Sequence, residues 1–257
     1  MTKNVPRLRP VPAVTRAIAV LRLLSRSRTP LTLKVIAEAL DLVPSTALHI
    51  LRALVAEKLL QVEENTKRYS LGVGLLPLAR AVLEHNDFPR MVRPILQDLS
   101  SRYSITAVAA EVLDLDHTIV VSLTSAPFQV RLHVDVGSRF PALISAAGRC
   151  VAAFSKQPWG EIEKRFRAVR WQNAPSYTVW RKEVDLTRRH GFNIDRRNYI
   201  AGLTIVAVPV LNSRGAITHV INAVGISSQL GRARALALAR DMRTAAGGLA
   251  AQTVAHA

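Results

Sequence analysis

The apolar positions between residues 33 and 56 predict two short helices separated by a three-residue break. The break is Asp41-Leu42-Val43, and Pro44 suits the first position of the second helix because it has no N–H to leave unpaired. The apolar faces recur at helical spacing and consist of Val35, Ile36, Ala39 and Leu40 in the first helix and Leu48, Leu51, Leu54 and Val55 in the second. This pattern is typical of a helix-turn-helix pair.

The remaining surface of the second helix carries small groups near its N-terminus and longer polar groups one turn later. Its residues are Pro44, Ser45, Thr46, His49 and Arg52. Short side chains at a helix N-terminus allow it to lie close to a DNA major groove, so we expect Ser45, Thr46 and His49 to contact base edges. Arg52 is expected on a phosphate. The alternative is a purely structural pair, because many packed helices with a short break never contact nucleic acid.

The flanking segments extend this pair to a winged helix-turn-helix domain over residues 13–72. An amphipathic helix is predicted at 13–25, ahead of the pair, and a β-hairpin follows it. The hairpin strands are predicted at 59–62 and 68–71. At the hairpin tip, Lys67 and Arg68 could each contact a DNA phosphate; simple solvation of two exposed cations is the alternative.

A linker helix is predicted at 73–88, either as a connector that contributes to a dimer contact or as a cap on the second domain. Beyond it, strand-length runs rich in Val, Ile and Leu alternate with helices. Strands are predicted at 107–115, 118–123, 130–136, 203–211 and 217–225, and helices at 91–102, 146–154, 160–167, 179–189 and 232–253. This order describes an α+β domain with an antiparallel sheet over residues 89–257.

The charge distribution favours a polyanionic partner. The chain has 257 residues, enough for two domains, and a formal net charge of +17. Residues 1–72 contribute +7 of that charge, which makes this segment nearly twice as basic per residue as the remainder. Residues 1–12 contain three prolines and are predicted to form a flexible basic arm.

The sequence offers little chemistry for catalysis. Cys150 is the single cysteine, which excludes an internal disulfide or a thiolate metal cage and suits a reducing cytoplasm. The histidines show no ligand spacing, and neither a phosphate loop nor a nucleophile elbow is present. No apolar run reaches the ~18 residues of a membrane span. We therefore expect a cytoplasmic protein with no catalytic residue, bound metal, cofactor or membrane contact.

Five motifs spread over both halves of the chain resemble the IclR family of transcriptional regulators. They are Leu42-Val43-Pro44-Ser45-Thr46, Arg68-Tyr69-Ser70-Leu71-Gly72, Ser145-Ala146-Ala147-Gly148-Arg149, Arg189-His190-Gly191-Phe192 and Val206-Ala207-Val208-Pro209-Val210. The resemblance implies a winged helix-turn-helix joined by a helix to a GAF-like α/β effector-binding domain. It also implies dimers or tetramers that bind palindromic double-stranded DNA operators, often of catabolic operons, and repress or activate under control of a small organic acid.

The resemblance places the effector pocket between the sheet and the helix that begins near Ser145. Small residues at a helix N-terminus leave N–H groups for a carboxylate, and Ala146 and Ala147 would supply them. By resemblance, Asp195, Ile205 and Asn222 line the pocket. Arg197 stands where the family is usually acidic, and two hypotheses follow: a cationic contact to the acidic effector, or a place in a subunit interface.

Two other classes of function remain open from the sequence. One is a hydrolase or redox enzyme that uses Cys150 in the second domain, although a buried structural cysteine fits the apolar neighbours Val151 and Phe154 better. The other is a DNA-binding protein without a ligand, in which the second domain only holds subunits together.

Overall fold

Three helices and a small antiparallel sheet form the first part of the chain in this computed structural model, which describes residues 11–84, 86–125, 134–196 and 198–254. The helices are α1 (Pro12–Arg26), α2 (Leu33–Ala39) and α3 (Pro44–Ala56), and the strands are β1 (Leu31–Thr32), β2 (Leu60–Val62) and β3 (Arg68–Leu71). The strand order is β1-β3-β2, so that the predicted hairpin gains a third strand in front of α2. The predicted basic arm lies outside the described residues except at its end.

The buried face of α3 differs by one position from the predicted one. Ala47, Leu51 and Leu54 are buried, whereas Leu48, which the pattern placed inward, is only half-buried. Ala47 has no exposed surface at all, and a small residue there allows the backbone of α3 to lie close to its neighbours. Helix α3 begins at Pro44, as predicted.

The helix pair is sharply bent. Helices α2 and α3 together reach the length and hydropathy of a membrane span only as a pair bent by 113°, and no single described helix is long and apolar enough to cross a membrane. Thr32 caps α2, because its Oγ1 accepts a hydrogen bond from the N–H of Val35.

The chain divides into two compact units at the end of the linker helix. The first comprises Met1–His85 and the second Asn86–Ala257. Helix α4 (Leu75–Glu84) lies within the predicted linker and belongs to the first unit, and α5 (Phe88–Tyr103) opens the second.

The second unit is built on a six-stranded, fully antiparallel sheet. The strands are β4 (Thr106–Val112), β5 (His117–Ser125), β6 (Arg139–Pro141), β7 (Asn193–Arg196), β8 (Leu203–Leu211) and β9 (Ile217–Ile226), and the helices are α6 (Ser145–Phe154), α7 (Trp159–Ala168), α8 (Tyr177–His190) and α9 (Arg232–Val254). The strand order is β6-β5-β4-β9-β8-β7.

Two strands of this sheet differ from the sequence prediction. The predicted strand 130–136 is wrong in its described part, because residues 134–136 form no strand; residues 130–133 lie outside the described residues. Strand β6, at 139–141, pairs with β5 instead. Strand β7 was not predicted: it carries polar residues and is defined by its pairing with β8.

The sheet separates two apolar cores because successive strand residues point to opposite faces. On β8, Val206 and Val208 pack in the core beneath α5 and α9, whereas Ala207 packs on the other face with α6 and α8. Trp180 of α8 is fully buried in this second core. Helix α6 therefore lies directly on the sheet face that carries the odd-numbered residues of β8.

Candidate nucleic-acid interface and ligand cavity

The outer face of α3 presents the polar residues that the sequence singled out. Pro44, Ser45, His49 and Arg52 are exposed, and Thr46 is half-buried. Val43 occupies the N-cap position of this helix, and its side chain makes no capping hydrogen bond. The first N–H groups and the positive end of the helix dipole therefore lie beside the small side chains, an arrangement that suits a phosphate or a base edge.

The two cations at the hairpin tip have different surroundings. Lys67 is exposed with a left-handed backbone (φ +52°), and its N–H donates to the carbonyl of Glu63 across the turn. Arg68 is also exposed, but its Nη1 donates to the carbonyl oxygen of Pro30 at 3.2 Å. Arg68 thus ties the wing to the segment before β1, and Lys67 extends from the turn itself.

A cavity of about 260 Å³ lies between the sheet and the start of α6. Its apolar wall comes from all four central strands and includes Val108, Ala110, Val120, Ile205 and Val224. Its polar lining residues are Thr118, Ser145, Tyr199 and Asn222, and none of the described lining residues is charged. Burial raises the pKa of the Tyr199 phenol, which therefore remains neutral at physiological pH.

Helix α6 meets the cavity with an unusually constrained first turn. Ser145 has a left-handed backbone (φ +55°) and lines the cavity together with Ala147. The N–H groups of the first three residues have no intrahelical acceptor because they lie at the helix start, and the side chain of the N-cap residue Ile144 makes no capping hydrogen bond. A Cβ on Gly148 would lie 2.0 Å from the carbonyl carbon of Leu143, which shows how closely the helix follows the preceding loop.

The structure brings together three of the six residues that were expected to bind an effector. Ala147, Ile205 and Asn222 line the cavity. Ala146 and Asp195 are buried and are not among the residues that line it. Arg197 lies outside the described residues.

Behind the cavity, Arg149 forms a buried polar cluster that sequence reasoning missed. Its Nε donates to Glu183 at 2.6 Å, and its Nη1 donates to the carbonyl of Ser145 at 2.8 Å. The Asp195 carboxylate accepts a hydrogen bond from the N–H of Asn198. Burial raises the pKa of Asp195, and the Arg149 guanidinium opposes that effect. The available signal was an arginine on a helix otherwise made of small and apolar residues.

Cys150 does not have the surroundings of a nucleophile. It is fully buried, and its Sγ lies 3.5 Å from the carbonyl oxygen of Ala207. Burial raises the pKa of the thiol far above its ordinary value, so the thiolate form that would attack a substrate is disfavoured. In the described part of the chain, no group of three or more His, Cys, Asp or Glu residues could hold a metal ion.

Comparison with known protein families matches both units. Residues 13–64 match the IclR helix-turn-helix domain, and residues 80–251 match the domain described as bacterial transcriptional regulator IclR C-terminal. The second match alone covers more than half of the chain.

Relatives and solved structures match nearly the whole length. The glycerol operon regulatory protein of Streptomyces griseus is 29% identical over 225 residues, 87% of either chain. The transcriptional repressor AllR of Salmonella typhi is 23% identical over 252 residues, 91% of this chain and 90% of that protein. An IclR transcriptional regulator from Alicyclobacillus acidocaldarius superimposes with a TM-score of 0.82 at 26% identity, covering 94% of this chain and 98% of its own. The protein therefore belongs to the IclR family of DNA-binding transcriptional regulators.

Proposed function

We propose that this regulator controls a catabolic operon, as a repressor or activator, in response to a small carboxylic acid bound in the second unit. The observation that carries the proposal is the cavity beside the uncapped N-terminus of α6. Backbone N–H groups and the positive end of the helix dipole can hold a carboxylate there without a cationic side chain. The relative from Streptomyces griseus is named for an operon, which supports an operon as the target.

On the DNA side, α3 enters the major groove and the wing lies along the backbone. Ser45, Thr46 and His49 contact base edges, with Pro44 beside them at the start of the helix. Arg52, Lys67 and Arg68 contact phosphates. The exposure of most of these side chains and the uncapped start of α3 support this assignment.

Two exposed apolar faces in the first unit support self-association. Val14 and Ile18 are 59% and 40% exposed at i, i+4 spacing on α1, and Leu78 and Val82 are 59% and 67% exposed at the same spacing on α4. A second copy would remove these side chains from water. A homodimer, or a tetramer of two dimers, then places two recognition helices about one DNA turn apart, ~34 Å, on a palindromic operator.

The effector acts by favouring one arrangement of the subunits over another. Such coupling between two sites changes DNA affinity by a free energy of typically ~1–3 kcal/mol, or about 5- to 150-fold. Ala147, Ile205 and Asn222 form the ligand-facing wall, whereas Ala146 contributes through its backbone and Asp195 through the Arg149 cluster.

A mobility-shift assay on the intergenic DNA upstream of the gene tests both halves of this proposal. We expect a sequence-specific shift that one member of a panel of aliphatic and aromatic carboxylic acids strengthens or abolishes. Specific binding that no acid changes would contradict the proposal that a carboxylic acid controls DNA binding, and would support the ligand-independent alternative. Absence of any specific shift would contradict this choice of operator DNA.

A further inference from the structure

We propose, resting on the effector function above, that the ligand is a ring-sized monocarboxylic acid bearing a hydroxyl group, and that Asn222 selects the hydroxyl. Three properties of the cavity carry this inference: its volume with its apolar wall, an unpaired polar atom in that wall, and the lack of charge among the described lining residues.

The volume favours a ring over a two- or three-carbon acid. Cavities of ~150 Å³ with apolar walls already accommodate benzene, and this cavity measures about 260 Å³. Side chains such as Val108, Ile205 and Val224 form most of its surface. A short acid would leave that apolar surface in contact with trapped water, whereas a ring would cover it.

Asn222 is a polar residue among apolar neighbours on the sheet. Its register partners are Val108 on β4 and Ala207 on β8, and directly opposite residues share one face of a sheet. Its side-chain Oδ1 is buried and has no hydrogen-bond partner among the residues that the structure describes. A buried amide oxygen without a hydrogen-bond donor is energetically unfavourable, so a ligand that donates a hydrogen bond to it is favoured. A hydroxyl fits because it can donate and accept, and thus pairs with either end of the amide.

The charge of the described lining favours a ligand with one carboxylate. The first turn of α6 supplies N–H groups for one anionic group, but none of the described lining residues is a cation that could pair with a second. An unpaired second carboxylate in this apolar surrounding would be strongly disfavoured. The hydroxyl at Asn222 and the carboxylate at α6 are therefore different substituents of the same ring.

Titration calorimetry of the full-length protein with benzoate, 3-hydroxybenzoate, 4-hydroxybenzoate, phthalate and pyruvate tests this inference. We expect at least one hydroxybenzoate to bind at least about tenfold more tightly than benzoate, since benzoate leaves Oδ1 unpaired. Benzoate in turn should bind more tightly than pyruvate or phthalate.

Two variants test the assigned roles, after cooperative thermal unfolding has shown that each is folded. Asn222→Leu should abolish the preference for the hydroxybenzoate over benzoate, and Asn65→Leu, at an exposed position in the β2–β3 turn, should leave it unchanged. Ala110→Leu fills part of the cavity and should weaken every ring acid by about tenfold or more.

The outcomes separate this inference from the function on which it rests. Binding of pyruvate as tight as that of the ring acids would overturn the ligand class and keep the effector site. A hydroxyl preference that survives Asn222→Leu would overturn the role of Asn222, and unchanged binding in Ala110→Leu would overturn the placement in this cavity. Failure of every acid to bind would overturn the effector proposal as well.

Discussion

Arg149 and Asp195 face each other across 4.0 Å, Nη1 to Oδ2, with both side chains only 1% exposed. Arg149 lies on α6 and Asp195 on β7, and Glu183 of α8 completes the cluster at the Arg149 Nε. Three elements from distant parts of the second unit are thus joined at one guanidinium.

This cluster supports two walls of the cavity from behind. Arg149 holds the carbonyl of Ser145, the left-handed residue at the cavity edge. Asp195 accepts the N–H of Asn198, immediately before the lining residue Tyr199. The cluster therefore fixes the backbone at or beside two residues that line the cavity.

Replacing the buried guanidinium should strongly destabilise the second unit. We expect Arg149→Met to lower the free energy of unfolding by about 3–5 kcal/mol, because it leaves the Asp195 carboxylate buried without a cation. All three tryptophans lie in the second unit, so urea unfolding followed by tryptophan fluorescence reports on it. Asp195→Asn in the Arg149→Met background should recover part of the loss; strictly additive effects would show that the two groups are not coupled.

An exposed ion pair provides the control for this change. Arg167 pairs with Glu163 one turn away on α7 and is 66% exposed. Arg167→Met should lower the free energy of unfolding by less than about 1 kcal/mol. If both arginine variants lost the same free energy of unfolding, burial would not explain the effect of Arg149→Met.

The close approach of α6 to Leu143 gives a second prediction. In Gly148→Ala the new Cβ would lie within about 2 Å of the Leu143 backbone, so the helix start or the loop must move. We expect a marked fall in melting temperature and loss of ligand response. Gly247→Ala on α9 meets nothing within 4 Å and should be neutral or stabilising by up to ~1 kcal/mol. Equal melting temperatures for the two variants would contradict the packing at Gly148.

Long elements with a strong pattern were predictable from the sequence, and short ones defined by pairing were not. Strand β8 spans 203–211 as predicted, because nine consecutive apolar or small residues on a buried strand leave little ambiguity. Strands β1 and β7 have two and four residues, too few to show periodicity, and they exist through hydrogen bonds to β3 and β8. Hydrophobic patterning does not contain that information.

The candidate sites divide in the same way. The exposed face of α3 could be located because a recognition helix is a local feature of one amphipathic segment. The cavity wall is formed by α6 and four strands that lie far apart in the chain. The partners of Arg149 are equally distant, with Glu183 lying 34 residues along. Motif resemblance singled out Ala147, Ile205 and Asn222, which line the cavity, whereas the contacts of Arg149 behind them could be identified only from the fold.

The wing gives a prediction about salt dependence. Lys67→Ala should weaken binding to specific and nonspecific DNA alike and reduce the slope of log K against log salt by about 1 per bound subunit, since each subunit loses one phosphate contact. Lys182→Ala removes the same charge from an exposed site on α8 and should leave the slope unchanged. An unaltered slope for Lys67→Ala would remove this residue from the phosphate contacts.

His49 should affect specificity in a different way. It is exposed on the outer face of α3, one turn beyond Ser45, where a side chain can reach base edges. We expect His49→Ala to relax the preference at one base pair of each half-site, by about 1–3 kcal/mol, in a competition assay with singly substituted operators. A uniform loss of affinity over all operators would instead indicate a backbone contact.

His219 makes the stability of the second unit sensitive to acid. It stacks on Phe88 of α5 with ring centroids 3.6 Å apart, and burial lowers its pKa to about 4. Because an unfolded histidine titrates near ~6.5, the unfolded state binds more protons between these values, and the stabilisation present at neutral pH is lost as pH falls from about 6.5 to 4. The full contribution is about 3 kcal/mol, since each pKa unit corresponds to about 1.4 kcal/mol. Tryptophan-monitored unfolding at pH 4.5 and 7.5 measures how far the free energy of unfolding falls with pH. We expect a smaller fall for His219→Phe than for the wild type. His190→Gln, at an exposed position, should show the same fall as the wild type. An identical fall in His219→Phe would assign the acid sensitivity to other groups.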